Sequence, residues 1–125
     1  VAAVDATRLW AASLVCASAT ARAVEASGLG DPTYVITGCF PDRPGATGQD
    51  DRLTADCIER VRTNLPLEAD DTSNRLLATT EARRALTLGP EHCDPLDIEF
   101  AAQVDRFDFA MEVTMDELGR RLQVQ

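Results

Sequence analysis

Lysine is missing from this chain: all twelve basic residues are arginine. Its absence excludes lysine-based Schiff-base chemistry and every other role that needs an ε-amino group. A GC-rich genome or a salty environment would each leave such a composition. Aromatic residues make up only 5% of the chain, so a core must be built mainly from Ala, Leu and Val. No apolar run approaches the roughly 18 residues of a membrane-spanning helix. Neither CxxC, GxSxG, a Walker loop nor GxGxxG occurs, and both Asn64 and Asn74 lack the N-x-[ST] context for glycosylation. No motif therefore supports an enzyme, and no catalytic, metal-binding or cofactor-binding residue is assigned.

Positive charge is also short. Twelve basic residues face 21 acidic ones, giving a net charge of −9 and a pI near 4.4. That balance repels nucleic-acid phosphates and anionic membrane surfaces. Basic partners or cations are allowed, although solubility is the plainest use of the charge.

The residues present suit one folded domain over 1–125. There are 125 of them, 45% hydrophobic and 26% charged, enough for a core and too apolar for disorder. The most informative stretch is Asp94 to Leu122. Asp94 can cap a helix and Pro95 suits its first turn. Leu96, Phe100, Val104, Phe107, Met111, Met115, Leu118 and Leu122 then recur at steps of three and four, predicting a helix of about eight turns. Phe107, Phe109, Met111, Val113 and Met115 also alternate with more polar residues, which is a strand pattern. The helix fits the longer window.

Upstream, Val1 to Ser27 has no Gly or Pro and carries an Ala stripe containing Cys16, so a helix is expected up to Gly28. Thr33 to Thr37 is β-branched and aromatic, reading as a short strand or an extended segment laid over helices. A second helix is marked by Leu53, Cys57, Ile58, Val61 and Leu65 before Pro66. A third runs from Thr72 or Ser73 to about Leu88, before Gly89-Pro90. The expected fold is all-α: an antiparallel four-helix bundle whose one long loop carries the short extended segment. The alternative is α+β, with strands near 33–37 and 107–115.

Four cysteines at wide spacing, Cys16, Cys39, Cys57 and Cys93, read as two disulfides, with Cys16–Cys57 and Cys39–Cys93 the preferred pairing. A start at Val1 fits removal of a signal peptide. Together these predict a secreted, periplasmic or organelle-lumen protein.

His92, the only histidine, has Glu91, Cys93 and Asp94 beside it, but adjacent side chains point apart. It reads as a loop residue before a capped helix. Three cysteines with His92 could ligate zinc, yet the spacings match no knuckle. Asp42, Asp50, Asp51, Glu68, Asp70 and Asp71 lack the calcium-loop pattern and read as solvated charge. The wide apolar face of the last helix suggests an interaction surface at Phe107, Phe109, Met111, Val113 and Met115.

The leading expectation is a non-enzymatic subunit of an assembly, acting through a protein partner or self-association. A carrier of a small hydrophobic ligand in the bundle core is the second. A small enzyme or effector using His92 is the third.

Overall fold

The computed structural model describes residues 5–38, 47–116 and 119–125. Among these lie five α-helices and a three-stranded antiparallel sheet. The architecture is α+β, which overturns the four-helix bundle. The reasons are found at both ends of the chain.

At the N-terminal end, Ala-rich sequence does not become one helix. Trp10–Ala11 forms β1 and pairs with β2 (Met111–Asp116), Trp10 opposite Glu112 and Ala11 opposite Met111. The Arg8 guanidinium grips the Glu112 carboxylate through two bonds of 2.6 Å, and Val113 N–H donates to Leu9 C=O at 2.8 Å. A distant strand and a bidentate ion pair thus outweigh local helix propensity. After a 3₁₀ turn at Leu14–Cys16, α1 spans only Ala17–Ala26 and ends where Gly28 adopts φ 65°.

The C-terminal stripe is interrupted in the same way. Asp94 caps α5 (Pro95–Ala101), accepting from Leu96 N–H at 2.9 Å, and Pro95 sits in the first turn. The helix then stops. Asp105 turns the chain with φ 55°, and its carboxylate accepts from Ser18 N–H at 2.7 Å and from Ser18 Oγ at 2.5 Å. Those donors belong to the first turn of α1, whose free N–H groups favour an anion. Phe107 N–H donates to Val15 C=O at 2.8 Å, and Asp108 pairs with Arg22. Residues 105–108 are therefore fastened to the start of α1 instead of continuing as helix.

Beyond them β2 pairs with β3 (Gly119–Val124), with Val113 opposite Leu122. The order β1-β2-β3 leaves β3 at an edge. Residues 33–37 form no strand. They run extended along α2 (Gln49–Arg62), where Tyr34 OH donates to Glu59 Oε2 at 2.9 Å and Thr37 donates through N–H and Oγ1 to Asp51 Oδ2.

Between these ends, α2 packs against α1. Leu53, Cys57 and Ile58 meet Leu14, Ala17 and Ala21 in the main core, joined by Leu76 and Ala102. Alanines on α1 permit that close approach. The expected third helix is two helices, α3 (Ala69–Leu77) and α4 (Thr80–Leu86). Thr79 divides them: its buried hydroxyl donates to Leu76 C=O at 2.7 Å and accepts from Ala82 N–H at 3.2 Å. One side chain ends a helix and caps the next.

The two expected disulfides are also overturned. Cys16, Cys57 and Cys93 are free thiols, the first two buried, and Cys39 lies outside the described residues. Cys57 packs as a small hydrophobe in the core. The assignment to a secreted, periplasmic or lumenal compartment rested on those bridges and falls with them. Among the described residues no helix is long and apolar enough to cross a membrane.

Candidate functional site: an apolar groove with an acidic mouth

A groove of about 1040 Å³ opens between the N-terminal segment, the extended segment 29–37 and helices α2, α4 and α5. Its volume is at the upper end for small-molecule sites. Trp10, Leu14, Ile36, Ile58, Ala82 and Ile98 are among the apolar residues lining it. Segment 29–37 is anchored along α2 by side-chain bonds from Tyr34 and Thr37, and Tyr34 packs against the core beside it. The small residues Ala55, Ala82 and Ala85 leave room along the helical walls.

Polar groups sit at the two ends of α2, with Asp50 and Arg62 about 18 Å apart at the helical rise. Toward its C-terminal end, Arg62 binds Glu59 at 2.8 Å, Asp31 at 2.9 Å and Glu25 at 3.3 Å. This knot ties α1, segment 29–37 and α2 together. The Arg62 guanidinium, then Tyr34 OH, hold the Glu59 carboxyl below its usual range against the effect of burial. Burial, reinforced by Glu59, pushes the Tyr34 phenol up.

The other end is acidic. Glu81 of α4 accepts through Oε1 from Thr47 N–H at 2.9 Å, Thr47 Oγ1 at 3.0 Å and Gly48 N–H at 2.8 Å. Burial raises the Glu81 carboxyl, but these and other backbone donors outweigh it and lower the group overall. Glu81 Oε2 is buried with no hydrogen-bond partner. Asp50 and Asp51 occupy the first turn of α2, where the helix dipole favours them. Burial, then the charges of Asp51 and Glu81, raise the Asp50 carboxyl, while Asp51 N–H works against the rise. Asp50, Asp51 and Glu81 all line the groove. Trp10 Nε1 is a second buried atom without a partner in a groove-lining residue. Such orphaned groups are uncommon and call for an explanation.

The sequence-derived candidates are dispersed. His92 is exposed in the turn before α5 and does not line the groove. Cys16 and Cys57 lie in the interior, and among the described residues no three His, Cys, Asp or Glu side chains gather as a metal site. Cys57 adjoins a smaller pocket of about 200 Å³ between α2 and α3, but burial pushes its thiol up to about 11, away from thiolate chemistry. Asp70 and Asp71 are exposed in the first turn of α3, and Asp42 lies outside the described residues.

Phe107 and Phe109 stack with ring centres 5.3 Å apart, and Phe100 lies 5.9 Å from Phe107. Phe107 is 37% exposed, whereas Phe109, Met111 and Val113 are half-buried. Met115 lies in β2. Sequence reasoning placed Asp50 and Asp51 among loop charges and missed Glu81 and Trp10. A single Trp in an Ala-rich stretch and a Thr-Thr-Glu break before α4 were the available signals. Comparison with known proteins finds no matching family model, curated protein or solved structure.

Proposed function

We propose that this protein binds a small, largely apolar ligand, held in the groove between segment 29–37 and helices α2, α4 and α5. The observation that carries the reading is a cavity of about 1040 Å³ in a chain of 125 residues, whose exposed wall is mostly apolar. The site differs from the bundle interior expected from sequence, since part of its wall is extended chain. Trp10, the only tryptophan, lines the groove and serves as a built-in reporter.

The test is titration with the neutral dye N-phenyl-1-naphthylamine, following dye emission and energy transfer from Trp10. Saturable binding at one site is expected. Ala55→Phe and Ala85→Phe fill the groove from two helices and should each weaken binding at least tenfold without loss of helical circular dichroism. Dye affinity unchanged in both folded variants would overturn the reading.

A second reading, contact with another protein, is favoured by β3. It stands at the sheet edge, and its Leu122 is 59% exposed. The stacked Phe107 and Phe109 lie in the segment leading into the same sheet. Under this reading Leu122→Lys, with Phe107→Asp as a second variant, lowers the mass seen by light scattering. An unchanged monomer at all concentrations would count against it.

A further inference from the structure

We propose that the groove selects a cationic amphiphile: an apolar body with a protonated amine, contacted by the Asp50 carboxylate and held in the field of Asp51 and Glu81. This rests on the ligand-binding reading and adds the chemistry of the head group. Three acidic side chains from two helices converge where apolar walls meet the α2 N-terminus. The hydrogen bonds around them are unequally filled. Asp51 Oδ2 is taken by Thr37, Glu81 Oε1 by Thr47 and Gly48, and Asp50 Oδ1 by Asp51 N–H. Among the described residues none of the three has an arginine within ion-pair distance. Every donor supplied there is an amide or hydroxyl, so the negative charge has no counter-ion from the described chain.

Three oxygens at the mouth lack a hydrogen-bond partner among the described residues: Glu81 Oε2, Asp50 Oδ2 and Asp51 Oδ1. Glu81 Oε2 has essentially no surface, so it acts through its charge unless the side chain turns. Asp50 is only half-buried, and its second oxygen is neither hydrogen-bonded nor sealed among the described residues. Asp51 is already fixed to Thr37 through its other oxygen, so Asp50 is placed as the contact group. Partial desolvation strengthens its attraction for an ammonium head, and the same field repels a carboxylate of equal chain length. A neutral head gains the apolar walls and little from the mouth.

Displacement of N-phenyl-1-naphthylamine by dodecylamine, dodecanol and dodecanoate, each below its micelle concentration at pH 7, separates the possibilities. The ammonium form is expected to bind at least tenfold more tightly than the alcohol, and dodecanoate more weakly than either. Asp50→Asn should bring amine and alcohol within about twofold. Glu81→Gln, which keeps an oxygen for Thr47 and Gly48, should reduce the preference by a smaller factor. The exposed pair Asp70→Asn/Asp71→Asn should leave it intact, which separates the mouth from the overall charge. Equal displacement by all three compounds, or an amine preference that survives in folded Asp50→Asn, would overturn the inference and leave the groove reading standing. Absence of dye binding altogether would remove both.

Discussion

Asp105 gives the sharpest test of why the last quarter of the chain is not one helix. Its carboxylate accepts two hydrogen bonds from Ser18 in the first turn of α1, and its backbone holds φ 55°. Replacing an N-terminal capping side chain by Ala costs about 1 kcal/mol. Placing Ala in the left-handed region, which Asp and Asn tolerate better, adds on the order of 1 kcal/mol. Asp105→Ala should therefore cost about 2 kcal/mol. Asp105→Gly loses the cap but keeps the conformation, so a cost near 1 kcal/mol is expected, partly raised by glycine's greater unfolded-state freedom. Asp105→Asn keeps the turn preference and the acceptor for Ser18 N–H but loses the charge and the acceptor for Ser18 Oγ, and should cost about 1 kcal/mol, less than Ala. Urea unfolding followed by circular dichroism at 222 nm measures all three. The reasoning fails if Ala and Gly are equal, or if Ala is within about 0.3 kcal/mol of the parent, because cap and turn would then carry no energy. A gain in helicity for Asp105→Ala would mean that residues 102–115 had taken the helical alternative.

Thr79→Ala removes both the α3 stop and the α4 cap and should destabilise by about 1–2 kcal/mol, whereas Thr79→Ser should cost less than half as much in the same assay. Glu59 is held below its usual range when folded, so its contribution is present above the unfolded value near 4.5 and lost as pH falls through the lower folded value. Glu59→Gln should flatten that part of the acid-unfolding curve. Asp50 is shifted the other way: its raised folded value makes the ionised form a liability above both values, relieved on acidification. Asp50→Asn should accordingly raise Tm at pH 7, with the gain shrinking as pH drops toward 4. With Cys16 and Cys57 buried, iodoacetamide at pH 8 should label Cys93 before either, mapped by peptide mass, and label all three only after unfolding. Early labelling of Cys57 would contradict its place in the core.

Punctuation was legible in the sequence because it is local. Asp94 and Pro95 mark the start of α5, Gly28 follows the end of α1, and α2 ends before Pro66. Caps, φ preferences and missing N–H groups act within a turn, so neighbouring residues suffice to place them. Asp50 and Asp51 read from sequence as solvated loop charge, not as the first turn of α2 or as one mouth with Glu81, thirty residues on.

Only the tertiary structure decided what followed those marks. Phe107, Met111 and Met115 satisfy a helical period, and with Phe109 and Val113 they satisfy a strand period equally well, so the pattern was silent between them. The choice fell to Arg8 and Trp10, which meet Glu112 across about a hundred residues of chain. The same holds for the thiols, since even number and spacing cannot reveal that Cys16 and Cys57 serve as core packing. It holds for the groove as well. Its walls come from residues 6 to 101, and a cavity arises from where packing stops, which no single stretch of sequence encodes.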